Sequence, residues 1–423
     1  MAGRQSLGRR FGWLWAAYAV STFGTRLAFD AFPLIAILAL DAGTTQVALL
    51  AAAGLAVGAV AAVPLGPWVE FRRKRPVMVT MDLLRCAVLL TVPAAYALDL
   101  LSFGQLLVVS VVVAAADITF TAASGAYLKS LVAPEHLLVA NGRFESTLWT
   151  ATMLGPPLGG AAIGMFGPVM TVLADAVSYL LSAVGIKAIG GKEPAPARTA
   201  DAAAAPRAGL RAAEVLDGWR FILRDPAMRP LFFNTVLVNG LIMAAAPPLA
   251  VLMLGPLHFA PWQYGLAFAL PCLGGLIGSR LARPLVARFG QRPVLLSVGA
   301  LRVCWPVGLA FVGPGVPGLV LVMGLEFVLI TCMGVFSPVM ATYRLERTPA
   351  DRVVRTLSAW SVTGKGTTAA MTAAWGLLAG ATGARPAIAA AGVLMLATPL
   401  LLPWRDRAPL ARKPQQSTGA PTG

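Results

Sequence analysis

The feature that most constrains this chain is a series of apolar blocks, separated by short loops that carry basic residues. About 20 apolar residues in a helix cross the hydrocarbon core of a bilayer, which is roughly 30 Å thick. Only 12% of the 423 residues are charged and 57% are hydrophobic, whereas soluble domains carry about 25% charged residues. This balance excludes an ordinary soluble enzyme and a disordered chain. The lack of short alternating strands also disfavours an outer-membrane barrel.

The apolar blocks predict an all-α membrane protein with twelve transmembrane helices. The first six predicted spans are 12–38, 45–69, 77–98, 105–128, 144–166 and 168–189, and the second six are 230–254, 263–282, 294–312, 318–341, 355–380 and 386–403. We therefore expect an N-terminal six-helix bundle (1–189), a cytoplasmic linker (190–229), a C-terminal six-helix bundle (230–403) and a disordered cytoplasmic tail (404–423). Within the linker, 210–224 has apolar residues at helical spacing, which predicts an amphipathic helix.

The basic residues predict the orientation of the chain in the membrane. The net charge is +16, and the lysines and arginines lie almost entirely in alternate loops and in both terminal segments. Cytoplasmic loops of membrane proteins carry such an excess, so both termini and the linker are predicted to be cytoplasmic. In the loops predicted to lie on the opposite side of the membrane, Arg385 is the only basic residue. The basic balance thus indicates a plasma-membrane (inner-membrane) protein, with the bilayer and not a nucleic acid as its partner.

The two halves of the sequence resemble each other. The segment 66–85 aligns without gaps to 283–302, which lies 217 residues later. The same offset places Gly159 on Gly376 and Arg85 on Arg302. A repeat of six plus six spans is typical of two bundles that rock around a site near the middle of the membrane.

A glycine, three residues, an acid and then a basic pair occur between the second and third spans, at Gly66, Glu70, Lys74 and Arg75. This pattern resembles motif A of the major facilitator superfamily. The resemblance implies that these charges latch the cytoplasmic side shut. Further charged residues near the cytoplasmic ends of the third and ninth spans are expected to complete this gate: Asp82, Arg85, Arg292 and Arg302.

The fifth span contains the run Gly155-Pro156-Pro157-Leu158-Gly159-Gly160. It resembles motif C of the drug–proton antiporters of the same superfamily, and other short strings resemble its macrolide- and siderophore-exporter branch. The resemblance implies proton-coupled export of small apolar or amphipathic molecules, such as drugs or antibiotics, by alternating access. A proton-coupled nutrient importer on the same fold is the alternative, and a non-transporting membrane protein is a third hypothesis.

Charged residues inside the spans are candidates for proton coupling or substrate binding, because a charge in hydrocarbon costs roughly 2.5–3.5 kcal/mol on insertion scales. Arg26 and Asp30 are four residues apart, so they share one face of the first span and can pair. Asp117 and Glu326 lie in the middle of the fourth and tenth spans. All four are expected to take part in coupling or in binding.

The sequence contains no motif for bond-breaking chemistry. Gly364-Lys365-Gly366 lacks the spacing of a nucleotide-binding loop and was placed at the edge of a span. The chain is therefore predicted not to be an enzyme and to need neither a cofactor nor a metal. Its expected partners are a small-molecule substrate, protons and the bilayer, and it is expected to function as a monomer.

Overall fold

The computed structural model describes residues 7–28, 31–40, 50, 60, 69–70, 72–191, 193 and 216–404. Within this part of the chain every regular element is a helix, so the predicted all-α class is confirmed. Several predicted features lie outside the described residues: Asp30, Gly66, most of the second predicted span, the start of the predicted linker helix, and residues 405–423. The side chain of Pro156 is also outside them.

The α-helices of the described residues are numbered in chain order. They are α1 (Gly8–Leu27), α2 (Ala31–Leu40), α3 (Lys74–Ala97), α4 (Phe103–Leu131), α5 (Leu137–Phe166), α6 (Pro168–Lys187), α7 (Asp217–Arg224), α8 (Met228–Leu254), α9 (Pro261–Ala269), α10 (Cys272–Phe289), α11 (Gln291–Leu301), α12 (Gly315–Arg347), α13 (Val353–Thr382) and α14 (Ala384–Ala397). Short 3₁₀ helices occupy Pro134–His136, Pro306–Phe311 and Thr398–Leu401.

Eight helical segments in the described residues are long and apolar enough to cross a membrane. They are Lys74–Ala97, Phe103–Leu131, Pro168–Lys187, Met228–Leu254, Gln263–Phe289, Gln291–Phe311, Gly315–Arg347 and Ala384–Leu401. The first predicted span corresponds to α1 and α2, the fifth to α5, and the eleventh to α13. The chain is thus a multi-pass membrane protein, and the total of twelve spans stays a prediction.

Two predicted spans are not continuous α-helices. In the ninth span α11 ends at Leu301, and a turn leads into the 3₁₀ helix that begins at Pro306. In the eighth span α9 and α10 are separated at Leu270 and Pro271. Because proline has no backbone N–H and clashes with the preceding turn, it interrupts a helix in this way.

The internal repeat extends to the ends of the helices. Both α5 and α13 have 30 residues, and each end of α13 lies 216 residues after the corresponding end of α5. Gly167 (φ 82°) ends α5 and Gly383 (φ 93°) ends α13. Glycine adopts this left-handed conformation without a Cβ penalty, so the same sharp reversal joins the last two helices of each half.

The two halves of the chain pack together at the end of the molecule where the basic loops gather. We call this the basic end, defined by the connecting residues 72–73, 132–136, 188–191, 225–227 and 348–352. One apolar cluster there contains Val77 and Leu128 from the first half together with Leu345 and Leu357 from the second. Buried side chains from both halves therefore seal this end.

Candidate functional site

An ion pair joins the two halves near the middle of the predicted membrane. Asp117 is the central residue of the 29-residue helix α4, and Lys365 lies near the middle of α13. The Lys365 Nζ donates to Asp117 Oδ2 over 2.8 Å. The Asp117 side chain is 47% exposed and that of Lys365 is 28% exposed, so water can reach both charges.

Arg85 supports Asp117 from within the first half. Its Nη1 lies 3.5 Å from Asp117 Oδ1, its side chain is only 3% exposed, and its other guanidinium nitrogen contacts Asp82. The guanidinium carbon lies 4.7 Å from the ring centroid of Phe120 and 4.2 Å from that of Tyr179. Arginine on aromatic faces is stabilised by the ring quadrupoles, so Arg85 provides a fixed positive charge beside Asp117.

The position of Asp82 and Arg85 differs from the prediction that they lie near the cytoplasmic end of the third span. Both are near the middle of α3, because this helix already begins at Lys74. Asp82 is fully buried and also accepts a hydrogen bond from Ser182 Oγ at 2.7 Å. The geometry therefore groups this pair with Asp117.

Lys365 is the residue that the sequence analysis missed. It was assigned to the edge of a span, although both the predicted span 355–380 and the observed helix α13 place it near the middle of the membrane segment. The signal was present, since a lysine within a block of small residues is unusual in a membrane helix. Its partner is 248 positions away, and no local pattern identifies such a pairing.

Arg26 faces the same region from α1. Its side chain is half-buried, and its guanidinium lies near enough to the Asp117 carboxylate for the two charges to attract each other. Among the residues that the structure describes, no carboxylate lies within ion-pair distance of Arg26, while Asp30, its predicted partner, falls outside them. Arg26 therefore adds a third positive charge to the group around Asp117.

Glu326 occupies a separate position on α12. It is 9% exposed, and the described part of the chain offers it neither a hydrogen bond nor an ion pair. Tyr264 and Cys272 lie near enough to be influenced by its charge, and Cys272 also lies near Arg26. Glu326 thus lies across the interface from Arg26, on the side of the second half.

The glycines of the motif C-like run pack α5 tightly against α1. A Cβ at Gly155 would lie 2.4 Å from Arg26 Cβ, and one at Gly159 would lie 2.2 Å from the Leu27 carbonyl oxygen. A Cβ at Gly160 would meet no heavy atom within 4 Å. Only glycine fits at 155 and 159 without a shift of α1, which links this run to the helix that carries Arg26.

At the basic end, Glu70 meets the start of α13. Its buried carboxylate contacts the Arg355 guanidinium. Burial raises the pKa of Glu70 to about 7, and the nearby charges of Arg355 and Lys74 oppose that rise. The motif A-like acid therefore pairs across the two halves and titrates near neutral pH.

Lys74 and Arg75 do not cross between the halves. The Lys74 Nζ donates to the Glu70 and Val69 carbonyls over 2.5 and 3.0 Å, and Arg75 Nη1 donates to the Gly190 and Gly191 carbonyls over 2.8 and 3.0 Å. Lys74 thus braces the backbone at Glu70, and Arg75 ties the start of α3 to the residues that follow α6.

Further polar contacts between the halves lie on the same side of the molecule. Lys129 Nζ contacts the carbonyls of Leu345 and Thr348 at the end of α12. Asn141 Nδ2 donates to Thr342 Oγ1 over 2.9 Å, and the hydroxyls of Ser146 and Ser279 are 2.6 Å apart. In the described ranges no hydrogen bond or ion pair joins the halves beyond Asp117 toward the other end. The arrangement is therefore closed at the basic end.

Arg302, the repeat counterpart of Arg85, lies in a sealed site in the second half. It is fully buried, it donates to Asn234 Oδ1 over 2.7 Å, and its guanidinium carbon lies 3.7 Å from the Phe336 ring centroid. Arg292 instead donates to the carbonyls of Pro403 and Trp404 over 3.1 and 3.0 Å. Neither residue reaches the first half through these contacts.

Chemically, this arrangement presents a carboxylate that can exchange a proton with water, because the Asp117 side chain is half-exposed. Within the residues that the structure describes, no group of three or more His, Cys, Asp or Glu side chains is placed to bind a metal ion. The exposed carboxylate of Asp117, by contrast, lies between two positive groups, with Arg85 at one oxygen and Lys365 at the other.

Comparisons with known proteins agree with this architecture. The family model described as Major Facilitator Superfamily matches residues 14–332 and 231–422. The chain is 26% identical over 287 residues to the uncharacterized MFS-type transporter YvqJ of Bacillus subtilis (strain 168), a match that covers 67% of this chain and 66% of that protein. The match thus spans just under two thirds of that relative.

Two solved structures show the same fold. A bacterial homologue of the iron transporter ferroportin, in an outward-facing state, has a TM-score of 0.76 and 18% identity, with 93% of this chain and 98% of that chain covered. The human organic anion transporter MFSD10 has a TM-score of 0.71 and 15% identity, with 92% and 99% covered. At these identities the likeness concerns the fold alone.

Proposed function

This chain belongs to the major facilitator superfamily and has the fold of a secondary transporter that works by alternating access, and we propose that it is a proton-coupled exporter of small apolar or amphipathic molecules. Members of the superfamily are transporters, generally without enzymatic activity. We further propose that the basic end faces the cytoplasm of a plasma-membrane protein that functions as a monomer.

The observation that carries the proposal is the ion pair between Asp117 and Lys365. It is half-exposed, it lies at the centre of α4, and its two charges come from different halves. In a transporter whose halves rock against each other, such an ion pair is broken both by protonation of the carboxylate and by separation of the halves. Charged residues within membrane helices commonly mark proton relays and substrate pathways.

The coupling step follows from the two ion-pair partners of this carboxylate, Lys365 and Arg85. While Asp117 is ionised, it holds Lys365 and the halves together across the interface. A proton that enters from the outside neutralises Asp117 and releases Lys365, while Arg85 stays in place between its aromatic rings. A substrate that binds beside Asp117 competes with that proton. Proton entry and substrate release are thereby linked.

The acids singled out earlier have supporting roles in this proposal. Asp30, four residues after Arg26 in the sequence, and Glu326 are further candidates for proton uptake. Glu70, with its contact to Arg355, closes the cytoplasmic gate. The tight contact between Gly155 and α1 keeps Arg26 in register with α5.

The direct test is proton flux in proteoliposomes that contain the purified chain. Addition of an exported compound to wild-type vesicles with an imposed pH gradient is expected to release protons, and Asp117→Asn is expected to reduce this flux to that of protein-free vesicles. Asp30→Asn and Glu326→Gln, tested alongside, show which further acids contribute. Unchanged pH-driven flux in all three variants would refute the coupling proposal.

The direction of transport is tested in cells. A pump-deficient bacterial host that expresses the chain is expected to tolerate higher concentrations of some amphipathic antibiotics than the same host with Asp117→Asn. Inward accumulation that grows with the proton gradient would instead identify an importer.

A further inference from the structure

The short helix α7 of the linker is fixed to the second half of the chain. A Cβ at Gly218 would lie 2.3 Å from the Arg355 carbonyl oxygen, so the α7 backbone rests directly on the start of α13. Trp219 Nε1 donates to Thr363 Oγ1 over 2.9 Å. Ile222 is fully buried in the apolar cluster that also contains Trp360. Helix α7 therefore moves with α13 as one body.

This fixed helix carries an acid to the arginine of the gate. Asp217 Oδ2 lies 3.3 Å from Arg355 Nη1 and 3.7 Å from Arg352 Nε. Glu70 contacts the Nε of the same Arg355. One guanidinium is thus shared by an acid from the first half and an acid from the linker.

The two acids respond differently when the gate opens. Glu70 belongs to the first half, so opening of the basic end separates it from Arg355. Asp217 is bound to the same body as Arg355, so their pairing is retained. Two carboxylates that share one guanidinium compete for it and also repel each other.

We infer that Asp217 is a positioning residue of the gate: it holds Arg355 in both the closed and the open arrangement and weakens closure by competing with Glu70. The linker thereby sets the balance between the two arrangements. This inference rests on alternating access, the general part of the proposed function, and does not depend on which substrate or ion is carried.

The expected effect of Asp217→Asn is a shift toward the closed arrangement. With the competing charge removed, the Arg355 guanidinium is expected to pair more strongly with Glu70. Asp217 is 26% exposed and Arg355 14% exposed, and partly exposed pairs are modest in strength. We therefore expect the ratio of closed to open molecules to rise by about threefold.

The measurement is the distance between spin labels placed across the gate, in the purified full chain. Labels at Ser130→Cys and Ala350→Cys occupy exposed positions on the two halves, close to the Lys129 contact, with the four native cysteines replaced. In Asp217→Asn the population of the short distance is expected to increase. Asp217→Glu, which keeps the charge, is expected to restore the wild-type distribution.

A matched control separates this effect from a loss of stability. Asp225 is also a linker acid, and its Oδ1 accepts from the backbone N–H groups of Ala227 and Met228 at 2.9 and 2.8 Å. Asp225→Asn is expected to lower the thermal stability while leaving the label distances unchanged. If Asp217→Asn leaves the distances unchanged or favours the long one, the inference is wrong. Absence of substrate-stimulated proton flux in the wild-type protein, with the distance shift of Asp217→Asn intact, would count against proton coupling alone.

Discussion

Arg85 and Arg302 occupy equivalent positions in the two halves, yet their side chains have different neighbours. Both are buried, at 3% and 0% exposure, and both lie over an aromatic ring of the following long helix. Arg85, however, is flanked by Asp82 and Asp117, whereas Arg302 is bonded to the neutral amide of Asn234.

This difference shows how a repeated scaffold becomes asymmetric. In the first half the arginine is part of a chain of charges that reaches water at Asp117 and crosses to Lys365. In the second half it is enclosed, and its contacts join α8, α11 and α12. We expect charges that water can reach to control transport, and sealed polar groups to control stability.

The largest expected effect concerns Lys365→Met. This change removes the charge that crosses between the halves, so substrate-stimulated proton flux is expected to fall close to the level of Asp117→Asn. The thermal stability should change little, since exposed ion pairs contribute only about 0.2–1 kcal/mol. Lys365→Arg, which keeps the charge, should retain part of the flux. If Lys365→Met keeps the wild-type proton flux, the claim that water-accessible charges control transport is wrong.

The next effect concerns Asn234→Ala in the sealed cluster. Asn234 accepts from Arg302 and donates to the Thr398 carbonyl over 2.8 Å. Loss of both bonds leaves buried polar groups unpaired, which costs about 1–3 kcal/mol, so the melting temperature in detergent should drop. Proton flux per folded molecule should stay at the wild-type value. Asn234→Asp, which keeps the acceptor, should be less destabilised, and a specific loss of flux in Asn234→Ala would contradict the comparison.

The smallest effect concerns the pH dependence of the gate at Glu70. In the closed arrangement burial raises the pKa of Glu70 to about 7 against the effects of Arg355 and Lys74, and Asp351 adds to the rise. A carboxyl exposed by opening has an ordinary pKa of about 4.3. The closed arrangement therefore binds the proton more tightly, and its population rises as the pH falls through 7.

The same spin-label pair measures this response between pH 8 and pH 6. The short-distance population should increase severalfold at the lower pH in the wild type and should be nearly constant in Glu70→Gln. An equal pH response in that variant would assign the titration to another group.

Much of the fold followed from local properties of the sequence. Apolar block length and the basic loops predicted where the described helices lie, because a helix in hydrocarbon satisfies its hydrogen bonds within its own segment. Some ends differ clearly from the prediction, since α5 begins at Leu137 and not at 144, and α10 ends at Phe289 and not at 282. The repeat predicted that Arg85 and Arg302 are equivalent, and the motif A-like pattern singled out Glu70. Pro271 and Pro306 are visible in the sequence as helix-breaking residues, but the prediction did not interpret them as ends of helices.

The sequence by itself determined that this chain is an all-helical membrane protein of two related halves, since hydropathy and charge act residue by residue. Only the tertiary structure decided which charges meet: Asp117 with Lys365 and not Arg26, Glu70 with Arg355, and Arg302 with a neutral amide. The reason is that such pairings depend on how each helix is rotated about its axis and on which helices are neighbours. Both are set by packing between segments that lie hundreds of residues apart.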